Sequence, residues 1–364
     1  MLTLIIFVII AALIFTFING FHDTANSIAT VIATKVLSPR QAVLLAAVTN
    51  LVGGFFGLAV AKTVYGGILK AEVATSQVLL CALFAAIIWN LLTWWFGMPS
   101  SSSHALIGGL CGAGFAAAHN DFHALIWSVP SSEHWWKSQG ILWKVILPMI
   151  SSPLCGLVLG FLVMALLYFL LRNWRPVTVN KTFGVLQLFS SGYMGFAHGT
   201  NDATKTMGVI ALALFTGTTG GAFDNLPDWL HFLRAPQLAS GEQLHIAKWI
   251  VVVCSLTMCA GTAVGGWRII KTLGHKMVKL HPVHGFAAET TSATILSVAT
   301  HFGMPVSTTH AITTSIMGVG AAKSFNALKL VVIERILWAW ILTLPISGAI
   351  AYAFVEIAQS LGWM

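Results

Sequence analysis

The chain has 364 residues, of which 57% are hydrophobic and only 8% charged, with a mean hydropathy of +0.84. A soluble chain carries roughly 25% Asp, Glu, Lys and Arg, so this composition excludes a globular protein with a wetted surface. The formal charge of +8 lies in loops rather than on a soluble domain, which excludes a nucleic-acid-binding surface.

A helix of about 20 apolar residues crosses a hydrocarbon core, and the chain offers several in succession. The start, MLTLIIFVIIAALIFTFING, has neither a basic leading region nor a small-x-small cleavage site, so it reads as a retained first helix. Further crossings are expected in the runs 42–61, 73–96, 141–171, 249–267 and 330–354. The glycine-rich region 98–127 is less apolar and has room for a hairpin and an extra crossing. Lys and Arg gather at 172–181 and 268–279, whereas Asp224, Asp228 and Glu242 dominate the stretch between. The positive-inside rule puts both basic loops in the cytoplasm and the acidic one outside. The expected class is an all-α, multi-pass protein of the cell membrane. Its five cysteines (Cys81, Cys111, Cys155, Cys254, Cys259) sit in apolar stretches without metal-ligand spacing and read as small buried hydrophobes.

The chain repeats itself. Asn19-Gly20-Phe21-His22-Asp23-Thr24-Ala25-Asn26 returns as His198-Gly199-Thr200-Asn201-Asp202-Ala203-Thr204-Lys205 when aligned on the aspartates. Gly97-Met98-Pro99-Ser100-Ser101-Ser102-Ser103-His104-Ala105 returns as Gly303-Met304-Pro305-Val306-Ser307-Thr308-Thr309-His310-Ala311. The second half is longer between its motifs, and the polar stretch 216–248 accommodates the difference. Two motif pairs in the same order indicate duplication: an N-terminal repeat 1–171, a cytoplasmic linker 172–181 and a C-terminal repeat 182–364. Repeated halves with Gly- or Pro-interrupted apolar segments are the sequence mark of a secondary transporter.

An aspartate at membrane depth is costly and marks function. Asp23 and Asp202 each follow a Gly-bearing turn, the expected look of a helix broken in mid-membrane. There a carboxylate and freed carbonyls, with the neighbouring Asn26 and Asn201, would hold a cation. In the GMPxSxxHA pair, Pro stands at a first helical turn and hydroxyls follow it. Backbone N–H and O–H groups there form an anion site without a fixed cation. Ser101, Ser102 and Ser103 would face Ser307, Thr308 and Thr309 around a tetrahedral oxyanion. His104 and His310 are expected to orient the hairpins by a hydrogen bond rather than to carry protons. Glu289 reads equally as a buried proton or cation site and as a cytoplasmic surface group. No G-x-S-x-G, H-E-x-x-H, Walker A or G-x-G-x-x-G motif is present, so an enzyme is not expected. No resident cofactor or metal site is expected either, and a channel accounts less well for duplicated carboxylates beside anion donors.

At these residues the sequence resembles the inorganic phosphate transporter (PiT) family. GFHDTANS and GTNDATKT resemble its duplicated G-x-N-D-x-A-N signature, MPSSSSHA and MPVSTTHA its P-x-S-T-T-H-A hairpins, and AAETTSAT around Glu289 also fits. The resemblance extends over essentially the whole chain. It implies phosphate uptake coupled to a cation gradient, inverted repeats with re-entrant hairpins, and a homodimer. It also implies phosphate on the hairpin hydroxyls, and the cation on the Asp and Asn residues. Two departures stand out: His22 replaces Asn in the first signature, and Lys205 replaces the second Asn of the other. A lysine there would occupy one cation site permanently or bind phosphate as a point charge. It is similar to the short proton-coupled bacterial members, a resemblance that implies a neutral metal–phosphate complex as an alternative cargo. The expectation is therefore H+ coupling, with Na+ as the alternative and Lys205–Asp202 as a charge pair. Sulfate is the competing substrate, but phosphate near neutral pH has a proton to donate to Asp23 or Asp202, and sulfate has none.

Overall fold

The computed structural model describes residues 1–235, 246–276, 279–324 and 328–364. Glu242, counted above in the acidic loop, lies outside them. Among the described residues there is no strand, only two isolated bridges, Leu69–Leu125 and Val129–Gln139.

Each half runs through the same series of elements. A long helix comes first: α1 (Leu2–Ala33) or α7 (Pro176–Thr219). A bent pair follows, α2 (Pro39–Gly54) with α3 (Ala59–Gly66), or α8 (Lys248–Val264) with α9 (Trp267–Lys271). The third member is α4 (Ser76–Trp95) or α10 (Pro282–His301), and the fourth is the hairpin helix α5 (Ser102–Ala117) or α11 (Thr308–Lys323). Each half ends on a long apolar helix, α6 (Leu147–Leu170) or α12 (Leu330–Ser360), with an internal proline, Pro153 or Pro345. Helix α7 begins at Pro176, inside the segment expected to link the halves.

Among the described residues, four helical stretches are long and apolar enough to cross a membrane, or six if each of the two bent pairs is one span. The chain is a multi-pass, all-α membrane protein. The runs expected at 42–61 and 249–267 are the bent pairs, folded by 67° and 56°. Gly57 (φ +83°) and Gly265 (φ +78°) stand at these bends, in a backbone region where an L side chain is strained.

The halves interlock. Helix α1 packs on α8 and α7 on α2, while α5 packs on α12 and α11 on α6. Helices α1 and α7 cross antiparallel. Ile5 lies by Gly217 at one end, Ser191 Oγ donates to the Ser27 carbonyl (3.2 Å), and Thr34 Oγ1 donates to Gln187 Oε1 (2.8 Å) at the other. Small residues bring these crossings close. A Cβ on Gly108 would lie 2.4 Å from the Leu344 carbonyl oxygen, and one on Gly112 only 2.0 Å from that of Gly348. Gly156 and Gly160 of α6 approach α11 in the same way, at Ala311 and Ser315. Such small-xxx-small faces replace the hydrophobic effect, which lipid does not supply between helices.

One expectation is corrected. Helices α1 and α7 run unbroken through Asp23 and Asp202. The signature glycines serve approach rather than unwinding. A Cβ on Gly20 would meet the Met258 carbonyl oxygen at 2.7 Å, and one on Gly199 the Asn50 carbonyl oxygen at 2.3 Å. The breaks fall instead in the helices against which these glycines pack.

Candidate functional site

An intact helix still gathers its polar residues on one face, because positions three, four and seven apart lie in line. On α1 these are Asp23, Asn26 and Thr30; on α7 they are His198, Asp202 and Lys205. All six are buried, and the antiparallel crossing turns the two faces toward each other and toward the hairpin tips.

Asp202 is the centre of the cluster. Its Oδ1 accepts from Lys205 Nζ at 2.5 Å, its Oδ2 stands 3.1 Å from His198 Nε2, and Thr308 Oγ1 donates to Oδ2 at 3.4 Å. Lys205 Nζ also donates to Ser103 Oγ and to the Val306 carbonyl (3.4 Å), so one ammonium ties α7 to both hairpins. The expected Lys205–Asp202 pair is therefore formed. Asp23 Oδ1 is 2.8 Å from His22 Nδ1 and receives Thr309 Oγ1 at 3.5 Å. Asn26 Nδ2 donates to Thr308 Oγ1 (3.2 Å) and Thr309 Oγ1 (2.9 Å). Asn201 turns to α10 and donates to Thr300 Oγ1 at 3.0 Å. The amide oxygens of Asn19, Asn26 and Asn201 and the Ser102 hydroxyl are buried without a partner. Buried polar atoms are normally satisfied, so these acceptors and this hydroxyl suit a ligand.

The six hairpin hydroxyls divide. Ser101 and Ser307 cap α5 and α11, accepting from the backbone N–H of His104 (3.2 Å) and His310 (3.1 Å). Ser103, Thr308 and Thr309 meet Lys205, Asn26 and the two carboxylates. Each hairpin tip is pinned by a threonine of a bent segment: Thr63 Oγ1 donates to the Gly303 carbonyl (2.7 Å) and Thr272 Oγ1 to that of Gly97 (2.9 Å). The hydrogen bond expected of the hairpin histidines is not made by His310, whose ring nitrogens have no partner. His310 instead stacks on Trp340, with centroids 4.0 Å apart, and lies edge-on to His104 at 4.8 Å. Aromatic packing in this apolar layer takes over the orienting role.

Glu289 is fully buried rather than at the surface. Thr30 and Ser190 donate their hydroxyls to it and Gln187 Nε2 donates at 3.0 Å. Thr30 lies one helical turn beyond Asn26, so this second carboxylate pocket adjoins the first cluster.

Sequence reasoning missed His198, Asn50, Gln187 and Ser190. His198 was within reach, because its spacing to Asp202 puts both on one helix face. Asn50, which accepts at 2.9 Å from His198 Nδ1, lies in an apolar run without a motif, as do Gln187 and Ser190. Asp23, His198 and Asp202 each offer a ligand atom, all within 4.8 Å of one another, and so form a group fit to hold a cation.

Residues 19–351 match the model of the phosphate transporter family. The chain is 42% identical to a "Probable low-affinity inorganic phosphate transporter" of Bacillus subtilis, over 97% of each chain. It is also 42% identical to a protein of that name from Rhizobium meliloti, over 96% of this chain and 94% of the relative. A solved structure, "The sodium-dependent phosphate transporter", has the same fold, with a TM-score of 0.80 and 22% identity over 99% of this chain and 100% of that one.

Proposed function

This chain belongs to the phosphate transporter family, and from that premise we propose that it is a proton-coupled symporter of inorganic phosphate. It is a transporter and not an enzyme. The observation that carries the proposal is the buried Lys205 ammonium, held between Asp202 and the Ser103 hydroxyl of the opposite hairpin. Phosphate enters between the hairpins, on Ser102, Ser103, Thr308 and Thr309, with Lys205 as its fixed positive charge. The capping hydroxyls of Ser101 and Ser307 hold the two hairpin N-termini in register for it. Two carboxylates, Asp23 and Asp202, share this cluster with the single ammonium of Lys205. A phosphate mono- or dianion in this dry cluster would be untenable without added positive charge. Protons on Asp23, Asp202 and Glu289 supply that charge, so an anion crosses only with its cations. Asn26 and Asn201 steady the hairpin and α10 around these carboxylates.

The matching order of elements and the antiparallel α1–α7 crossing support two inverted repeats, 1–171 and 182–364, joined at 172–181. They also support alternating access by one half rocking against the other. We assign the protein to the cell membrane, with the basic 172–175 turn in the cytoplasm, as a homodimer. A second reading has its own support: the Asp23–His198–Asp202 group suits a divalent cation, so the cargo would be a neutral metal–phosphate complex.

The test is radiolabelled phosphate uptake in proteoliposomes, with proton and sodium gradients imposed separately and sulfate as competitor. Proton-driven accumulation that persists without sodium is expected. Uptake that needs sodium and ignores a protonophore discards the proton reading, and full competition by sulfate discards the selectivity. Strict dependence on added Mg2+ or Mn2+ would establish the metal–phosphate cargo.

A further inference from the structure

A cavity of about 750 Å³ lies over the tip of the second hairpin, away from the buried cluster. Its polar lining is Lys62, Thr63, Lys137, Gln139, Lys144 and His301, with no carboxylate among the lining residues. Glu133 is ion-paired to Lys137 at the rim. The floor is Phe302-Gly303, the start of the loop that presents Thr308 and Thr309 to the site, and the roof is the segment 135–139.

The cavity opens on the face where α1 begins and α7 ends. The covering segment is tied to the α3–α4 connection by the Leu69–Leu125 bridge and by Lys70 N–H donating to the Ala124 carbonyl (3.1 Å). That connection, at Glu72–Ser76, shares a pocket with Met1 and Thr216–Gly220. The positive-inside rule assigns this face to the outside, where lysines are disfavoured. Three of them nonetheless line one concavity.

Lys144 is the best placed. It is 3% exposed, and its Nζ donates to the Phe302 carbonyl (2.8 Å) and the Trp136 carbonyl (3.3 Å). An ammonium has three donors, so one is left for an anion, and the same side chain ties roof to floor. The equivalent place in the other half differs. The cavity at the first hairpin tip, about 450 Å³, is lined by Gly97, Met98, Pro99, Thr272, Val332 and Ile336, with Arg335 as the only charged residue among its described lining residues. The threonine pins match across the repeat and the charge does not.

We propose that the outer cavity is a recruitment site for the phosphate oxyanion, filled before the anion passes the Gly303 tip to the buried cluster. Lys62 and Lys137 draw the anion in, and Lys144 receives it. The asymmetry between the mouths favours capture from outside and ready release within. This inference rests on the phosphate reading above. If that reading fails, wild-type vesicles take up no phosphate; if only this inference fails, wild-type uptake is normal and the variants match it.

The experiment compares initial rates of phosphate uptake by wild type, by Lys62→Gln/Lys137→Gln, by Lys62→Arg/Lys137→Arg and by Arg335→Gln, in vesicles sorted for right-side-out orientation. Each charge acting through water at this range is worth roughly twofold in local anion concentration. The Gln pair should therefore raise KM about fourfold at low salt, with the effect on KM rather than kcat. That difference should vanish at about 0.5 M salt, the Arg pair should recover most of it, and Arg335→Gln should leave the inward KM at the wild-type value. Lys144→Gln should raise KM further. An unchanged KM at low salt overturns the proposal, as does a shift that persists at high salt or falls on kcat, since packing damage is not screened.

Discussion

The Lys205–Asp202 pair supports the sharpest prediction. Lys205 is 1% exposed and Asp202 0%, with 2.5 Å between nitrogen and oxygen. Replacing Lys205 by Met keeps the length and apolar stem, but leaves the Asp202 carboxylate buried without its cation and Ser103 without its donor. Breaking a buried pair from one side costs about 3–5 kcal/mol, whereas replacing both partners is close to neutral. Lys205→Met and Asp202→Asn should therefore each lose about 3–5 kcal/mol, and the double variant should lie within about 2 kcal/mol of wild type, a strongly non-additive cycle. Denaturant unfolding in mixed micelles supplies the stabilities, and proteoliposome uptake the function. Both single variants should reach the membrane and fail to accumulate phosphate against a gradient, and the double variant should regain stability without regaining transport. Two stable single variants, or losses that simply add, would refute a buried, mutually dependent pair. Wild-type-like uptake by Asp202→Asn would remove the carboxylate from coupling.

Other predictions follow from single contacts. Asn26→Ala removes both amide bonds to Thr308 and Thr309; at about 1 kcal/mol each, KM for phosphate should rise roughly tenfold or more, and a value within twofold would show that Asn26 does not hold the hairpin. Glu289→Gln keeps a hydrogen-bonding side chain among Thr30, Gln187 and Ser190 but cannot take up a proton, so the fold should persist while the pH dependence of uptake flattens; an unchanged profile would exclude Glu289 from coupling. Gly112→Ala places a Cβ 2.0 Å from the Gly348 carbonyl oxygen, and backbone cannot yield as a side chain does, so the variant should aggregate on size-exclusion chromatography. A monodisperse, active Gly112→Ala protein would contradict the close α5–α12 crossing.

The sequence by itself determined the class, the duplication and the chemistry. Low charge and runs of apolar residues leave a chain no option but lipid, and motifs that recur in order carry their own evidence. Asp23, Asn26, Asp202, Lys205, Ser103, Thr308 and Thr309 were all legible, and the structure brings them together. Local pattern misled where glycine was concerned. Gly20 and Gly199 read as helix breaks because a glycine in an apolar segment looks like an interruption. Only the packing partners, Met258 and Asn50, show that the missing side chain makes room for a crossing helix. The actual bends at Gly57 and Gly265 fall within apolar runs that read as straight crossings. Asn50, Gln187 and Ser190 lie in apolar stretches without a motif, and they matter because the α1–α7 and α2–α7 crossings turn them inward. The six hairpin hydroxyls are alike in the sequence, but the residue just before each helix caps it, so Ser101 and Ser307 differ from their neighbours by position alone. Which residue types are present is a property of the chain. Which of them meet, across separations as long as that from Asn26 to Thr309, is decided by helices packing at glycine contacts.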